Sequence, residues 1–165
     1  MKQVAPIRKE LGLKTFFNIL GPLVNPSFPE NQIVGVFNLE LARLYSYLFQ
    51  KTNKNYAIIH SLDGYDEISL TGNVKVITRN EENIYSPQDL SLQKLNPKSI
   101  NGGKTVKESA KIFMNILQNN GTKSQNQVIF ANSGLAISTA LNISIEDGIE
   151  KAIESLKTKK ALETF

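Results

Sequence analysis

Three carboxylates lie within five residues in the segment Asp63-Gly64-Tyr65-Asp66-Glu67. The segment follows an apolar run at residues 56–60 that is typical of a buried strand. In a loop, neighbouring carboxylates can converge on one cation, and Gly64 gives the backbone the freedom to bring them together. Their oxygens suit Mg²⁺, which usually takes one or two carboxylates together with substrate phosphates. From the pattern alone, a solvated acidic turn is the favoured interpretation.

Four further residues could take part in chemistry. Arg8 can hold a carboxylate through two parallel hydrogen bonds, although an exposed arginine at a helix start is favoured from the residues alone. Gly21 and Pro22 predict the end of a helix and a turn. His60 is the only histidine. Its place at the end of a predicted buried strand favours a hydrogen-bonded structural histidine over a general base.

The elements that must position these residues alternate between strand and helix. Strands are predicted at residues 32–37, 56–60, 74–78 and 128–131, and residues 83–85 are predicted to pair with 74–78 as a hairpin. Helices are predicted at residues 14–20, 39–50, 105–118, 133–141 and from 145 towards the C-terminus, with Asn38, Thr105 and Ser144 as N-caps. Apolar spacing predicts an inward face on two of these helices. The faces consist of Val106, Ala110, Phe113, Met114 and Leu117, and of Ile145, Ile149, Ala152, Ile153 and Leu156.

This order predicts a single α/β domain over residues 1–165, with a mostly parallel central sheet, flanking helices and an antiparallel excursion. Ligands in such folds bind at the carboxyl ends of the strands. The rule directs attention to residues 60–67 and 131–133.

Composition excludes several classes of protein. The chain has no cysteine, which excludes disulfides and thiolate metal sites and fits a cytoplasmic protein. No apolar run is long enough to span a bilayer, so no membrane association is predicted. The net charge is +4, but the basic residues are dispersed and no nucleic-acid-binding motif is present. The densest basic group, at residues 157–160, is interpreted as a solvated helix end.

Residues 1–26 and the Asp66-Glu67 pair resemble the anthranilate phosphoribosyltransferase family, which joins anthranilate to phosphoribosyl pyrophosphate in tryptophan biosynthesis. The resemblance in the first segment rests on its Val-Ala-Pro-x-Arg string and on Gly-Pro-Leu-Val-Asn-Pro at residues 21–26. It implies the large-domain fold that this family shares with nucleoside phosphorylases. It also implies that Asp66 and Glu67 bind Mg²⁺, that Arg8 holds the anthranilate carboxylate, and that Gly21 and Pro22 line the anthranilate tunnel.

The resemblance also concerns the extent of the chain. In that family the string at residues 1–26 lies in the middle of the chain, so the resemblance implies that the 165 residues correspond to the C-terminal portion of a two-domain enzyme. The family's glycine-rich pyrophosphate loop and its helical domain, with the homodimer surface, lie upstream. The expectation is therefore that the isolated portion is weakly active or inactive. Ser61 follows His60 where family members often have glycine.

Two alternatives remain open from the sequence. One is an enzyme similar to the pyrimidine nucleoside phosphorylases, which would bind phosphate and a nucleoside. The other is a non-catalytic paralogue that binds nucleic acid through its basic surface, with an affinity that falls steeply with salt.

Overall fold

A four-stranded mixed sheet organises this protein in the computed structural model, which describes residues 19–165. The strands lie in the order β1-β2-β3-β4. Their bounds are Asn31–Gly35 for β1, Asn55–Ser61 for β2, Val74–Thr78 for β3 and Glu82–Tyr85 for β4. β1 pairs with β2 in parallel, whereas the β2–β3 and β3–β4 pairs are antiparallel.

The parallel pair is joined by helix α1, Leu39–Phe49, which confirms the predicted strand-helix-strand unit. Asn38 is its N-cap, and the Asn38 Oδ1 accepts a hydrogen bond of 2.8 Å from the Leu41 amide. Such a cap satisfies one of the amide groups left unpaired at a helix start. The predicted hairpin is also confirmed, because β3 and β4 are neighbouring antiparallel strands.

β2 is buried on both of its faces, and its central residues 56–59 are apolar at every position. Ala57 and Ile59 point into one core, which helices from the C-terminal half of the chain cover. Tyr56 and Ile58 point into a second core with side chains from α1. The alternation of side chains along a strand explains this division, and the double burial places β2 at the centre of the layers.

The sequence prediction of a strand at residues 128–131 is wrong. These residues lie in helix α3, Lys123–Leu141, and the predicted short helix at 133–141 is its second half. α3 begins at a capping box in which Thr122 and Gln125 bond each other's backbone amides. A short apolar run cannot by itself distinguish a buried strand from a buried helical segment, and the capping box decides for the helix.

Helix α4, Ile145–Lys157, packs directly against α3. Ser144 caps helix α4, whose apolar face is buried as predicted. Helix α2, Val106–Leu117, begins as predicted at Thr105, but its predicted inward face is largely exposed. Val106 is 88% and Phe113 46% exposed, Met114 and Leu117 are half-buried, and the buried residue is Ile116. A five-residue helix α5 and two 3-10 helices complete the described elements, at Lys160–Thr164, Gly21–Leu23 and Pro97–Ile100.

The α/β class is therefore confirmed, while the balance of strand directions differs from the expectation. One parallel and two antiparallel pairs make up the described sheet, because the expected third core strand is a helix. Within residues 19–165 no single helix has the length and apolar character to cross a membrane. The consecutive helices α3 and α4, bent by 116° at their junction, reach that length and composition only when taken together.

Candidate functional site

The predicted metal ligands lie on the loop that joins β2 to β3, residues 62–73, here called the acidic loop. Asp66 and Glu67 are both exposed on it. Within residues 19–165 neither carboxylate has a hydrogen-bond or ion-pair partner, since the ion pairs there join Lys75 to Glu82 and Lys160 to Glu154. Two adjacent charged groups are therefore available to an incoming cation.

The backbone under this pair is held by Ser61, the last residue of β2. The Ser61 amide donates to the Tyr65 carbonyl at 2.9 Å. Its hydroxyl donates to the Glu67 carbonyl at 2.6 Å, and the serine is completely buried, at 0% exposure. These two bonds fix the chain on both sides of Asp66. The serine that departs from the family pattern thus has a definite structural role.

Asp63 has a different function from its two neighbours. Its carboxylate accepts a hydrogen bond from the Thr71 hydroxyl, and its other oxygen accepts one from the Ser69 hydroxyl at 3.4 Å. These bonds connect the two arms of the acidic loop. Asp63 is therefore occupied within the loop, while Asp66 and Glu67 remain directed to solvent.

Asn132 contacts the acidic loop from helix α3. The Asn132 Oδ1 accepts from the Ile68 amide at 2.9 Å, and its Nδ2 donates to the Ile68 carbonyl at 2.8 Å. The rule on strand ends predicted residues 60–67 and 131–133 as ligand-binding regions, which stays a prediction. Asn132 contacts the acidic loop at Ile68, just beyond the first of these regions. The strand on which that prediction rested is a helix, and no sequence signal indicated the role of the Asn132 side chain.

His60 connects the ends of β1 and β2. The ring is buried, and Nδ1 lies 2.8 Å from the Val36 carbonyl oxygen. Because a carbonyl can only accept, Nδ1 carries the proton of this bond. The arrangement agrees with the expected structural histidine.

The predicted acceptor site is only partly described. Arg8 lies outside the described residues. Gly21 and Pro22 lie in the first 3-10 helix, where the Pro22 carbonyl accepts from Gln32 Nε2 at 2.6 Å, near the start of β1. No hydrogen bond or ion pair among residues 19–165 joins Gly21 or Pro22 to the Asp66-Glu67 pair. A common ligand for the acceptor residues and the Asp66-Glu67 pair stays a prediction.

An apolar groove of about 420 Å³ is lined in part by Ile19, which precedes Gly21 and Pro22 in the chain. Phe37, Leu41 and Leu44 also line it. The Ile19 carbonyl, which accepts a hydrogen bond from the Tyr45 hydroxyl, is held against α1. A flat apolar ligand could enter such a groove, which is lined mainly by carbon atoms.

A second cleft, of about 250 Å³, lies at the far end of the sheet and is more polar. Arg79 borders it, but the guanidinium donates to the Thr52 and Lys54 carbonyls at 2.5 and 2.9 Å. The Arg79 guanidinium is thus bound to the backbone just before β2. This cleft is therefore not the candidate site.

The acidic loop fits a divalent cation that shares its ligands with a substrate. The described residues contain no group of three or more His, Asp or Glu side chains that could hold a metal ion alone. Mg²⁺ keeps several waters and commonly takes one or two carboxylates plus phosphate oxygens. Asp66 and Glu67 match the protein's share of such a site, and phosphates would supply the rest.

Comparison with known proteins assigns the class. The model of the glycosyl transferase family, a/b domain, matches residues 1–162, and the chain belongs to this family.

Its relatives are more specific. The chain is 60% identical over its whole length to the anthranilate phosphoribosyltransferase of Flavobacterium psychrophilum and 57% identical to that of Flavobacterium johnsoniae, covering 50% of each. It thus spans about half the length of the curated relatives that it matches. These names favour the anthranilate hypothesis over the phosphorylase and nucleic-acid alternatives.

Solved structures agree with this assignment. The fold is similar to anthranilate phosphoribosyltransferase from Saccharomyces cerevisiae in complex with PRPP and Mg, with a TM-score of 0.89 and 27% identity over 99% of this chain and 47% of that one. It is also similar to the enzyme from Thermus thermophilus, with a TM-score of 0.87 and 26% identity over 98% and 49% of the two chains.

Proposed function

We propose that this chain forms the magnesium-binding and anthranilate-binding part of an enzyme that transfers a phosphoribosyl group from phosphoribosyl pyrophosphate (PRPP) to anthranilate. The observation that carries the proposal is the exposed pair Asp66 and Glu67, whose carboxylates have no hydrogen-bond or ion-pair partner among residues 19–165. Ser61 and Asn132 hold the backbone of this pair. The chain as a whole, including the segment with this pair, is similar in sequence to anthranilate phosphoribosyltransferases.

The chemistry accounts for the carboxylates. In this transfer the anthranilate amine nitrogen forms a bond to the ribose carbon that bears the pyrophosphate and releases a proton, and the pyrophosphate departs with the electrons of the broken carbon–oxygen bond. Charge on the leaving group must be neutralised, and fixed charges placed where charge develops are the strongest means of doing so. Asp66 and Glu67 would hold Mg²⁺, and when bound the cation would neutralise the pyrophosphate.

The acceptor would be recognised by residues near the start of the chain. Arg8 is proposed to bind the anthranilate carboxylate with two parallel hydrogen bonds, which suit a planar guanidinium. Gly21 and Pro22 are proposed to form a wall for the aromatic ring, and the apolar groove beside Ile19 supports an apolar ligand there. A cytoplasmic location and a homodimer of the longer enzyme remain predictions of the same proposal.

The test follows anthranilate consumption by its fluorescence, with PRPP and Mg²⁺. Residues 1–165 alone are compared with an extended protein, in which they follow the upstream half of the Flavobacterium psychrophilum relative. We expect turnover by the extended protein, and a loss of about 100-fold or more in the double substitution Asp66→Asn/Glu67→Gln, the order expected for losing a metal's charge stabilisation.

A matched control is available within the chain. Glu146→Gln/Asp147→Asn removes the same two charges from another exposed adjacent pair, in the first turn of α4. We expect this variant to retain the activity of the unsubstituted extended protein. Equal losses in the two double variants, or no turnover by the extended protein, would overturn the proposal.

A further inference from the structure

The carboxylates of Asp66 and Glu67 can bind one cation only if their shared backbone is held in one conformation. Ser61 holds it from within the loop's own strand, as described above. Two other contacts come from distant parts of the chain, β1 and α3, and each acts on the backbone rather than on a carboxylate. Substitutions can therefore remove these contacts and leave the Asp66 and Glu67 carboxylates in place.

Gly35, the last residue of β1, lies directly against the Asp66 carbonyl. A Cβ atom built at Gly35 would overlap the Asp66 carbonyl oxygen and would lie 2.8 Å from its carbonyl carbon. Real Cβ atoms do not approach backbone so closely, and the obstruction is main chain rather than a mobile side chain. Any larger residue at position 35 must therefore displace Asp66.

Asn132 holds the other side of the pair. Its side chain bonds both the amide and the carbonyl of Ile68, the residue after Glu67. Its Nδ2 also donates to the Val128 carbonyl at 2.9 Å, which fixes the side chain against its own helix. Position 68 is thereby attached to α3, and Glu67 can move little relative to the sheet.

We infer that Gly35 and Asn132 are positioning residues that hold the Asp66-Glu67 pair in its metal-binding geometry. The inference rests on the proposed function, because it presumes that this pair binds the metal. Neither residue contacts the substrate or the cation in this account. Their effect is to place two carboxylates side by side before the metal arrives, as residues that orient metal ligands do elsewhere.

The experiment uses the extended protein with Gly35→Ala and Asn132→Ala as separate variants. Mn²⁺ replaces Mg²⁺ as a paramagnetic probe, and its binding in the presence of PRPP is measured by water proton relaxation. We expect each variant to weaken Mn²⁺ binding by about 10- to 100-fold, the usual cost of removing a residue that orients a metal ligand. The Mg²⁺ concentration that gives half-maximal turnover should rise by a similar factor, and saturating Mg²⁺ should restore most of kcat.

Controls separate positioning from a loss of structure. Gly102→Ala adds a methyl group where nothing lies within 4 Å. Thr139→Ala removes a side-chain bond to the carbonyl four residues earlier on α3, as Asn132→Ala does, without any link to the acidic loop. Both should bind Mn²⁺ like the unsubstituted protein. A purely structural role would lower the melting temperature while leaving the Mn²⁺ affinity unchanged.

The outcomes distinguish the inference from the function on which it rests. If Asp66→Asn/Glu67→Gln leaves Mn²⁺ binding unchanged, the proposed metal site is wrong and the inference falls with it. If that variant loses Mn²⁺ while Gly35→Ala and Asn132→Ala bind it normally, the proposed function stands and the positioning role is overturned. Should Gly35→Ala fail to fold, Asn132→Ala decides the matter, because it removes atoms and adds none.

Discussion

Gly134 of α3 and Gly148 of α4 are in direct backbone contact. A Cβ built at Gly148 would overlap the Gly134 carbonyl oxygen, and one at Gly134 would lie 2.8 Å from the Cα of Ile149. The two helices approach this closely only because neither residue has a side chain. α3 contributes Ala131 and Leu135 to the core, and α4 contributes Ile145 and Ile149.

We therefore expect Gly148→Ala to destabilise the chain by about 1–3 kcal/mol or more, the range for overpacking a close-packed interface. Urea unfolding followed by circular dichroism gives the free energy of unfolding. Gly102→Ala, at a position with open space, should change it little. Equal stabilities of the two variants would show that α3 and α4 can separate without cost.

His60 is expected to act through its hydrogen bond to Val36 rather than as a base. His60→Asn keeps a donor near Nδ1 and should retain the fold and, in the extended protein, most of the activity. His60→Leu leaves the Val36 carbonyl without this partner and should cost about 1–3 kcal/mol, the usual range for a buried unsatisfied polar group. An inactive but fully stable His60→Asn variant would instead indicate a catalytic base.

Arg8 is predicted to recognise the acceptor and not the donor. In the extended protein Arg8→Ala should raise the KM for anthranilate by about 10- to 100-fold, as expected for losing a charge-assisted hydrogen bond. The KM for PRPP should change far less. Steady-state kinetics with each substrate varied in turn measures both constants, and a larger change for PRPP would contradict the assignment. Arg8→Lys keeps the charge but not the planar pair of donors, so it should recover only part of the loss.

Asp89 gives the chain a pH-dependent contribution to stability. Hydrogen bonds from the Ser86 amide and from the Ser86 hydroxyl, each 2.7 Å long, lower the pKa of the Asp89 carboxyl. A carboxyl whose pKa is lower in the folded state stabilises the fold at pH values above its unfolded pKa, about 3.9 for Asp. The contribution is lost as the pH falls through the folded pKa.

The difference in unfolding free energy between the unsubstituted chain and Asp89→Asn should therefore be constant near neutral pH and shrink in acid. Ser86→Ala removes the hydroxyl bond and keeps the amide bond, so it should reduce the effect without abolishing it. Unfolding curves at a series of pH values test this. A difference that grows as the pH falls would contradict the assigned direction of the pKa shift.

Elements specified by local signals were predictable. Asn38, Thr105 and Ser144 were predicted as helix caps, and each accepts a hydrogen bond from an amide in the first turn. The hairpin of β3 and β4 and the strand-helix-strand unit also follow from local alternation and turns. A cap or a hairpin is decided by residues within about four positions of one another, and this proximity is visible in the sequence.

The errors fall where local signals are ambiguous. Residues 128–131 are apolar enough for a core strand, and their helical state depends on the capping box at Thr122 and on packing against α4. The exposed face of α2 is a similar case. Its apolar period predicts an inward face, but a period cannot show whether a layer covers that face.

The sequence by itself determined the α/β class. The candidate ligands Asp66 and Glu67 came from the family resemblance, because the local pattern alone favoured a solvated acidic turn. Only the tertiary structure showed what holds that pair. Asn132 is 64 positions from Ile68 in the chain. Gly35 lies against Asp66, and nothing in the residues next to Gly35 indicates that contact. Contacts between residues so far apart depend on how the helices pack against the sheet, and this packing cannot be read from a short segment of sequence.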